Sequence, residues 1–369
     1  MVSITQRLEN WTLPHKLWKT GAPLPTPLLE SATTVINNQL YVFGGFTFGW
    51  QATEDVFVYN LEANQWTKLG EMPTAVTHVN AALDGSRVWF AGGFVGNHPG
   101  PTTAAVWQYD AIANSWKEGI PLPETRAGGG LQIINGELHY FGGFAADRDT
   151  TCGEHWSFLL EGGTEWVEKA PLPNPRGHVS SIAVGNKIYA IGGQHRHDTN
   201  PVDVDSVHVY DPLTDTWLEL ASLPEPRSHF EPSTFVVDNY IIIIGGRNNQ
   251  NPHLLSEKLT DLFAHENDKL IDDFPLQVFL ALKHSIKGSK YYTDLIPKIT
   301  VYDIKLDSWV ELGALPTNLY ACIANAIGKW LVVTGGGRNR HKNFQCRTLL
   351  NQSLIDVIKT KSKLSKDIG

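Results

Sequence analysis

The chain has few charged residues and few cysteines. Charged side chains make up 18% of its 369 residues, below the usual quarter, and no extended basic stretch stands in the body of the chain. With a formal net charge of −8, neither nucleic acid nor an anionic membrane is expected as a partner. The three cysteines, Cys152, Cys322 and Cys346, show neither CxxC spacing nor a pairing pattern, which indicates a reducing compartment.

Long hydrophobic segments are also missing. No run of about 18 consecutive apolar residues occurs, so the sequence predicts no transmembrane helix. The N-terminal segment MVSITQRLENWTLPHK lacks a cationic start followed by an apolar stretch, and it therefore predicts no signal peptide. These absences together predict a cytoplasmic protein.

Glycine and tryptophan are abundant, with 33 and 12 residues, and both recur at a period near 50. Six short hydrophobic runs end on two adjacent glycines, at 44–45, 92–93, 142–143, 192–193, 245–246 and 335–336. Six tryptophans share this period and are each followed seven residues later by proline: Trp18, Trp66, Trp116, Trp166, Trp217 and Trp309. This spacing predicts a repeat protein.

Each repeat contains four short β-rich runs, such as SIAVG, KIYAIGG, SVHVYDP and TWLEL in the fourth repeat. One four-stranded antiparallel sheet cannot bury both of its faces, so neighbouring repeats must stack, and radial stacking gives a propeller with protected edges. A tyrosine stands seven residues before the tryptophan in four repeats, as Tyr59, Tyr109, Tyr210 and Tyr302. The Gly-Gly, Tyr and Trp pattern resembles the Kelch repeat family over residues 11 to 336. The resemblance implies an all-β, six-bladed Kelch-type β-propeller.

The same resemblance implies a single propeller at residues 1–358 whose ring is closed by both chain ends. An N-terminal strand near Trp18 would be the outer strand of the sixth blade, and residues 353–358 would be its third strand. The lysine-rich segment at 359–369 is expected to be a disordered tail.

The fifth repeat carries an insertion. Its second glycine, Gly246, precedes Tyr302 by 56 residues, against 14 to 17 in the first four repeats. Leucine and phenylalanine in the extra segment recur at helical spacing, which predicts two short helices within a helical insertion at 248–298. In a propeller this loop opens on the channel-mouth face, where the insertion could be a lid on the rim or an apolar surface for another protein.

Two sets of equivalent positions are expected to form rings around the channel mouth. The first contains three arginines on consecutive blades, Arg126, Arg176 and Arg227, whose guanidinium groups suit a carboxylate or phosphate ligand. The second contains Glu30, His78, Gly128, His178, His229 and Ala321. Its histidines are predicted to bind a ligand but not a shared metal, because positions on non-adjacent blades should lie too far apart for metal–nitrogen bonds of about 2.0–2.1 Å.

The insertion holds two further patterns. Glu257, Asp261 and His265 form E-x3-D-x3-H, which could hold Fe(II) and resembles the iron motif of plant nitrile-specifier proteins, themselves Kelch propellers. The chain also resembles bacterial N-acetylneuraminate epimerases, through the AHE stretch that ends at Glu266 and the run YYTD at 291–294. That resemblance implies a sugar-acid mutarotase in which arginines hold the acid and Glu266 moves a proton.

The sequence therefore predicts a binding platform that takes a protein or a small acidic ligand on the channel-mouth face, with no cofactor. A sugar-acid mutarotase is the alternative, and an Fe(II)-dependent specifier-like protein is a second alternative.

Overall fold

The structure is a computed structural model that describes residues 18–199, 201–249, 295–338, 346–352 and 355. Its main elements are six four-stranded antiparallel sheets. The strands of blade 1 are Ala32–Ile36, Gln39–Phe43, Asp55–Asn60 and Gln65–Glu71. Those of blade 2 are Ala81–Asp84, Arg87–Ala91, Val106–Asp110 and Ser115–Glu118. Those of blade 3 are Gly130–Ile134, Glu137–Phe141, His155–Leu159 and Val167–Lys169.

Blades 4 to 6 repeat this order. The strands of blade 4 are Ser180–Val184, Lys187–Ile191, Val207–Asp211 and Thr216–Glu219. Those of blade 5 are Thr234–Val237, Tyr240–Ile244, Lys298–Asp303 and Ser308–Ala314. Those of blade 6 are Ile323–Ile327, Trp330–Thr334, Thr348–Asn351 and Lys19–Gly21. The prediction of an all-β, six-bladed propeller is thus confirmed.

Shorter elements of the described ranges lie in loops that leave second strands and in segments that enter first strands. Three two-stranded pairs join Phe46–Thr47 to Gln51–Ala52, Val76–Thr77 to Phe94–Val95, and Gln194–His195 to Val202–Asp203. Two 3₁₀ segments occupy Phe48–Trp50 and Glu231–Ser233. Within the described ranges, no helix is long and apolar enough to cross a membrane.

The chain ends close the ring, as the sequence predicted, but with a different third strand. Lys19–Gly21 pairs with Thr348–Asn351, which in turn pairs with Trp330–Thr334. The third strand therefore lies before residues 353–358, because Leu349 and Leu350 already supply the buried side chains that the blade needs. The predicted helical insertion at 248–298 lies outside the described residues except at its two ends, and so does the tail at 359–369.

The second strand of each blade is apolar on both faces because a neighbouring blade covers each face. In Tyr240–Ile244 all five residues are buried, and in Gln39–Phe43 four of the five are buried. The first strands of all six blades face a central channel of about 360 Å³, and Glu231 lies on its lining.

The Gly-Gly pairs join each blade to the next through the backbone. The second glycine donates its N–H to a carbonyl in the segment that enters the following blade, as Gly45 does to Val76 at 3.1 Å and Gly143 to Arg176 at 2.9 Å. A Cβ on the first glycine would meet the same carbonyl, at 2.7 Å for Gly44. Both glycines also have positive φ, so a side chain would be excluded at each position by contact and by conformation.

The repeat tyrosine and tryptophan make a second connection between blades. Tyr210 donates its hydroxyl hydrogen to Asp215. Asp215 also accepts the N–H of Ala170, which follows the last strand of blade 3. Trp217 donates its indole N–H to the carbonyl of the same alanine at 2.8 Å. Equivalent bonds join Trp66 to Ala22 and Trp309 to Ala221, so these aromatic residues stabilise the ring as well as each sheet.

Candidate ligand-binding site at the channel mouth

The second predicted ring exists, and its six residues share one backbone conformation. Each has a positive φ, between 46° and 65°: Glu30, His78, Gly128, His178, His229 and Ala321. Backbone hydrogen bonds run from one position to the next, as from the N–H of Gly128 to the carbonyl of His78 at 2.9 Å and from Ala321 to His229 at 2.7 Å. Three neighbouring pairs are joined directly in this way, Glu30–His78, His78–Gly128 and His229–Ala321, and the six positions form a backbone collar at one end of the channel.

The three ring histidines lie in contact across this collar. The ring centroids of His178 and His229 are 3.8 Å apart, with the planes stacked at 22°. His78, although on a non-adjacent blade, lies 4.8 Å from His178 by the same measure. The expectation that positions on non-adjacent blades lie too far apart to share a metal fails for His78 and His178, whose ligand atoms lie within 4.8 Å of each other.

A fourth histidine, His197, covers this group from a loop of blade 4. Its Nε2 atom lies 3.4 Å from Nε2 of His78, and its ring is parallel to that of His178 within 10°. The loop is fixed by Asp149, whose carboxylate accepts the backbone N–H groups of residues 197, 198 and 199. In the sequence this histidine stood in the polar cluster QHRHD at 194–198, which has no repeat equivalent to mark it.

One side of the mouth is aromatic. Phe46, Phe94 and Phe144 each follow a Gly-Gly pair, and all three are buried. Phe94 contacts His78 at 4.9 Å and Phe144 contacts His178 at 5.7 Å between ring centroids. These rings exclude water from one side of the histidines.

The opposite side is polar and comes from the same repeat position. The residues that follow the glycine pairs there are Gln194 in blade 4 and Arg247 in blade 5, and Arg247 donates to the side-chain oxygen of Gln194 at 2.8 Å. Arg247 is 8% exposed, its Nε atom has no hydrogen-bond partner, and no described carboxylate lies within ion-pair distance of it. It is a buried guanidinium beside the histidines, and its acidic neighbours Glu30 and Glu231 interact with it electrostatically without forming an ion pair.

Two glutamates complete the mouth. The carboxyl group of Glu231 shares a hydrogen bond of 2.7 Å with Nδ1 of His178. The carboxyl group of Glu30 lies 3.7 Å from Nε2 of His229. Burial raises the pKa of Glu231 to about 8 and that of Glu30 well above its usual range. Burial also lowers the pKa of His78, His178 and His229 well below the ordinary value. The imidazoles are therefore uncharged at neutral pH, and perturbed groups gathered in one concavity are typical of a functional site.

Arg148 lies at the edge of this group. Its Nε forms an ion pair with Asp198 at 2.7 Å, and its guanidinium stacks 3.9 Å from the ring centroid of Phe94. The carboxylate of Asp198 in turn bonds Nδ1 of His197 at 2.7 Å. Sequence analysis missed Arg148, Arg247 and Glu231. Comparison of the residues after each Gly-Gly pair would have identified Arg247, the one cation at that position.

The three arginines predicted to bind a ligand do not meet at the mouth. Arg126 forms ion pairs with Glu124 and Glu154 of blade 3 at 2.6 and 3.2 Å. Arg176 is fully buried and donates to carbonyls of its own blade, and Arg227 is fully buried with Glu225 as its ion-pair partner at 3.3 Å. The candidates from the insertion lie outside the described residues: Glu257, Asp261, His265 and Glu266.

Two family models match the chain. The KLHDC2/KLHL20/DRC7 Kelch-repeats domain matches residues 4–166, and the Kelch motif matches residues 175–224. The protein belongs to the Kelch-repeat family of six-bladed β-propellers.

Similar Kelch proteins come from plants, fungi and animals. A Kelch repeat-containing protein of Arabidopsis thaliana is 28% identical over 76% of this chain and 71% of its own length. Kelch-like protein 35 of Mus musculus is 27% identical and Kelch-like protein terF of Aspergillus terreus is 25% identical, over 59% and 66% of this chain. The chain spans only 34% and 54% of the lengths of these last two relatives.

A solved structure, that of YjhT, has the same fold. It superimposes with a TM-score of 0.64 over 89% of this chain and 96% of its own, at 16% sequence identity. This similarity concerns the propeller architecture.

Proposed function

We propose that this Kelch propeller binds a small acidic ligand at the channel mouth, with Arg247 as the group that holds the acid. The observation that carries the proposal is that Arg247 is buried and forms no ion pair with any carboxylate of the described residues. A buried cation is costly unless it is paired, and a carboxylate or phosphate on a ligand would supply the pairing. Arg126, Arg176 and Arg227 have partners of their own and take no part in the proposal.

The shape of the mouth favours a small ligand. Phenylalanine rings on one side and Gln194, Arg247 and Glu231 on the other form an apolar wall facing a few convergent polar groups, as in small-molecule sites. The ends of the insertion also lie here, since Arg247 bridges to Leu295 and the chain leaves the described part after Asn249. The predicted helical insertion would therefore begin and end beside the ligand, and its role as a lid or a protein-binding surface stays a prediction.

The experiment is thermal unfolding of EDTA-treated protein against a panel of small carboxylates, sugar acids and phosphates. A ligand at 100 times its Kd should stabilise the protein by about 2.7 kcal/mol. The shift should be lost in Arg247→Met and kept in Arg87→Ala, which removes a half-buried arginine of blade 2 paired with Asp84. A shift that survives Arg247→Met, or a panel with no stabilising acid, would refute the proposal and favour a protein partner on this face.

A sugar-acid mutarotase is the second candidate, favoured by the Glu231–His178 pair. Burial raises the pKa of Glu231 to about 8, so this carboxyl group can both give and accept a proton near neutral pH. N-acetylneuraminate therefore belongs in the panel, with exchange between its anomers followed by NMR. Exchange at the rate of the uncatalysed reaction would exclude this candidate and leave the binding function.

A further inference from the structure

The imidazole groups of His78, His178 and His197 converge within a small volume. Their ligand atoms all lie within 4.8 Å of one another. In a tetrahedral zinc site with Zn–N bonds of about 2.0–2.1 Å, two nitrogens stand about 3.3–3.4 Å apart. The distance between Nε2 of His78 and Nε2 of His197 is 3.4 Å, so this pair already has the separation that a shared metal requires.

Each of the three imidazoles has its other nitrogen engaged with an outer partner. Nδ1 of His78 bonds the hydroxyl of Thr77 at 2.9 Å, and Nδ1 of His197 bonds Asp198 at 2.7 Å. The Nε2 atoms are thereby the ones turned toward each other. Metal-binding histidines have this arrangement in most proteins, because the outer hydrogen bond fixes the ring and makes the inner nitrogen a better donor.

His178 gives the most specific evidence. Its side chain is fully buried, its Nδ1 bonds Glu231 at 2.7 Å, and its Nε2 is a buried polar atom with no hydrogen-bond partner. A buried nitrogen without a partner costs free energy, and a metal ion bound to Nε2 would remove that cost.

We propose that Nε2 of His78, His178 and His197 bind a divalent transition-metal ion of the zinc class at the channel mouth. Three imidazoles without thiolate or carboxylate ligands suit zinc, copper(II) or nickel and disfavour magnesium and calcium, which prefer oxygen. Three protein ligands leave a fourth position open for water or for an anionic group of a ligand. The site does not depend on the acidic ligand proposed above, since the three histidines suffice to hold the ion.

Glu231 and Asp198 are positioning residues in this site, because they act through the imidazoles that they orient. Removal of such an outer partner typically lowers metal affinity by about 10–100-fold. Removal of one of the three imidazole ligands should lower metal affinity by more than removal of an outer partner does.

The test is zinc binding to the full chain by competition with a chromophoric chelator, with no organic ligand present. His197→Ala should lower zinc affinity by more than the roughly 10–100-fold expected for Asp198→Asn. His195→Ala, which removes a histidine of the same loop outside the cluster, should leave it unchanged. His197 lies on a surface loop, so this variant remains informative even if the buried variant His178→Gln does not fold.

Cobalt(II) provides a second readout. The wild-type protein should show the visible absorption of four-coordinate cobalt, and His197→Ala should lose it. Zinc affinity that is equal in wild type, His197→Ala and His195→Ala would overturn the proposal, as would tighter binding of magnesium than of zinc. Neither result bears on the acid panel, which is measured on metal-free protein, so the two proposals can fail separately.

Discussion

Arg126, Arg176 and Arg227 stand at equivalent positions of three repeats, yet each stabilises its own blade. At this position the backbone carbonyl accepts a hydrogen bond from the second glycine of the preceding blade's Gly-Gly pair. The guanidinium group bonds to nearby carbonyl or carboxylate groups. Arg247 occupies a different repeat position, directly after the Gly-Gly pair. Phenylalanine stands at this position in three blades, and here it places the guanidinium group of Arg247 at the mouth. The role of an arginine in this fold follows from its position in the repeat rather than from its charge.

Arg176→Ala should therefore destabilise the protein strongly. Arg176 donates to the carbonyls of Gly192 at 2.6 Å, Pro173 at 3.0 Å and Ala190 at 3.2 Å. Each buried acceptor that loses its partner costs about 1–3 kcal/mol, so a loss above about 3 kcal/mol is expected in urea unfolding. The control Arg87→Ala should cost about 0–1 kcal/mol. Near-equal stability of the two variants would show that water replaces the arginine.

At the scale of single elements, blade 3 contains a buried pair of histidines that the proposed function does not use. His139 and His155 lie on its second and third strands, with Nδ1 of the first 2.9 Å from Nε2 of the second. Nδ1 of His155 also bonds the carbonyl of Ala170, while Glu137 lies 3.7 Å from His139. Burial lowers the pKa of His139 to about 4 and that of His155 to about 3. Two adjacent strands are thus held together by groups that must stay uncharged.

This histidine pair should make the folded protein less stable as the pH falls. Because the folded pKa lies below the unfolded value of 6.5, the unfolded chain binds more protons below that pH, and stability decreases as pH falls from about 6.5 toward 4. His139 alone should contribute a loss of about 2 kcal/mol at pH 5. Urea unfolding at pH 8 and pH 5 measures it, and His139→Gln should reduce the difference by about that amount. An unchanged difference in His139→Gln would assign the acid sensitivity to other groups.

The strands could be predicted from the sequence because a Gly-Gly pair recurs in all six blades, with the Trp spacing in the first five and the Tyr in four of them. Blade 6 shows the limit of this reasoning. It lacks a tryptophan after its glycines, and the sequence predicts its third strand at 353–358, whereas the strand is Thr348–Asn351. The ring of Glu30, His78, His178 and His229 was also found by repeat position. His197 was not, because it reaches the mouth through a loop held by Asp149, and such tertiary contacts leave no periodic signal.

At the scale of the whole molecule, stability depends on the joint between the first and last blades. Lys19–Gly21 completes blade 6, and the N–H of Ala22 binds Asn64 of blade 1 at 2.7 Å. Gly21 passes so close to blade 1 that an added Cβ would lie 2.8 Å from the hydroxyl of Tyr59 and 3.1 Å from Oδ1 of Asn64. A side chain at this position would therefore have to displace the Tyr59 and Asn64 side chains at the joint.

Gly21→Val should accordingly weaken closure of the ring. Inserting extra methyl groups into a packed contact typically costs about 1–3 kcal/mol, and here the cost falls on the joint itself. Amide hydrogen exchange should become faster in Trp330–Thr334 and Thr348–Asn351 than in blade 3. Thr20→Val, on the exposed side of the same strand, is the matched control and should leave exchange unchanged. Uniformly faster exchange in all blades would argue against a local effect at the joint.

The collar that ends the channel brings residues far apart in sequence into one mouth, and the central claim is that three histidines of this mouth bind a metal ion. Its most direct test is an anomalous difference map from crystals grown with zinc. The structure predicts a peak about 2.0–2.1 Å from Nε2 of His78, His178 and His197. Zinc peaks found only elsewhere on the protein, with none between these three nitrogens, would contradict that claim.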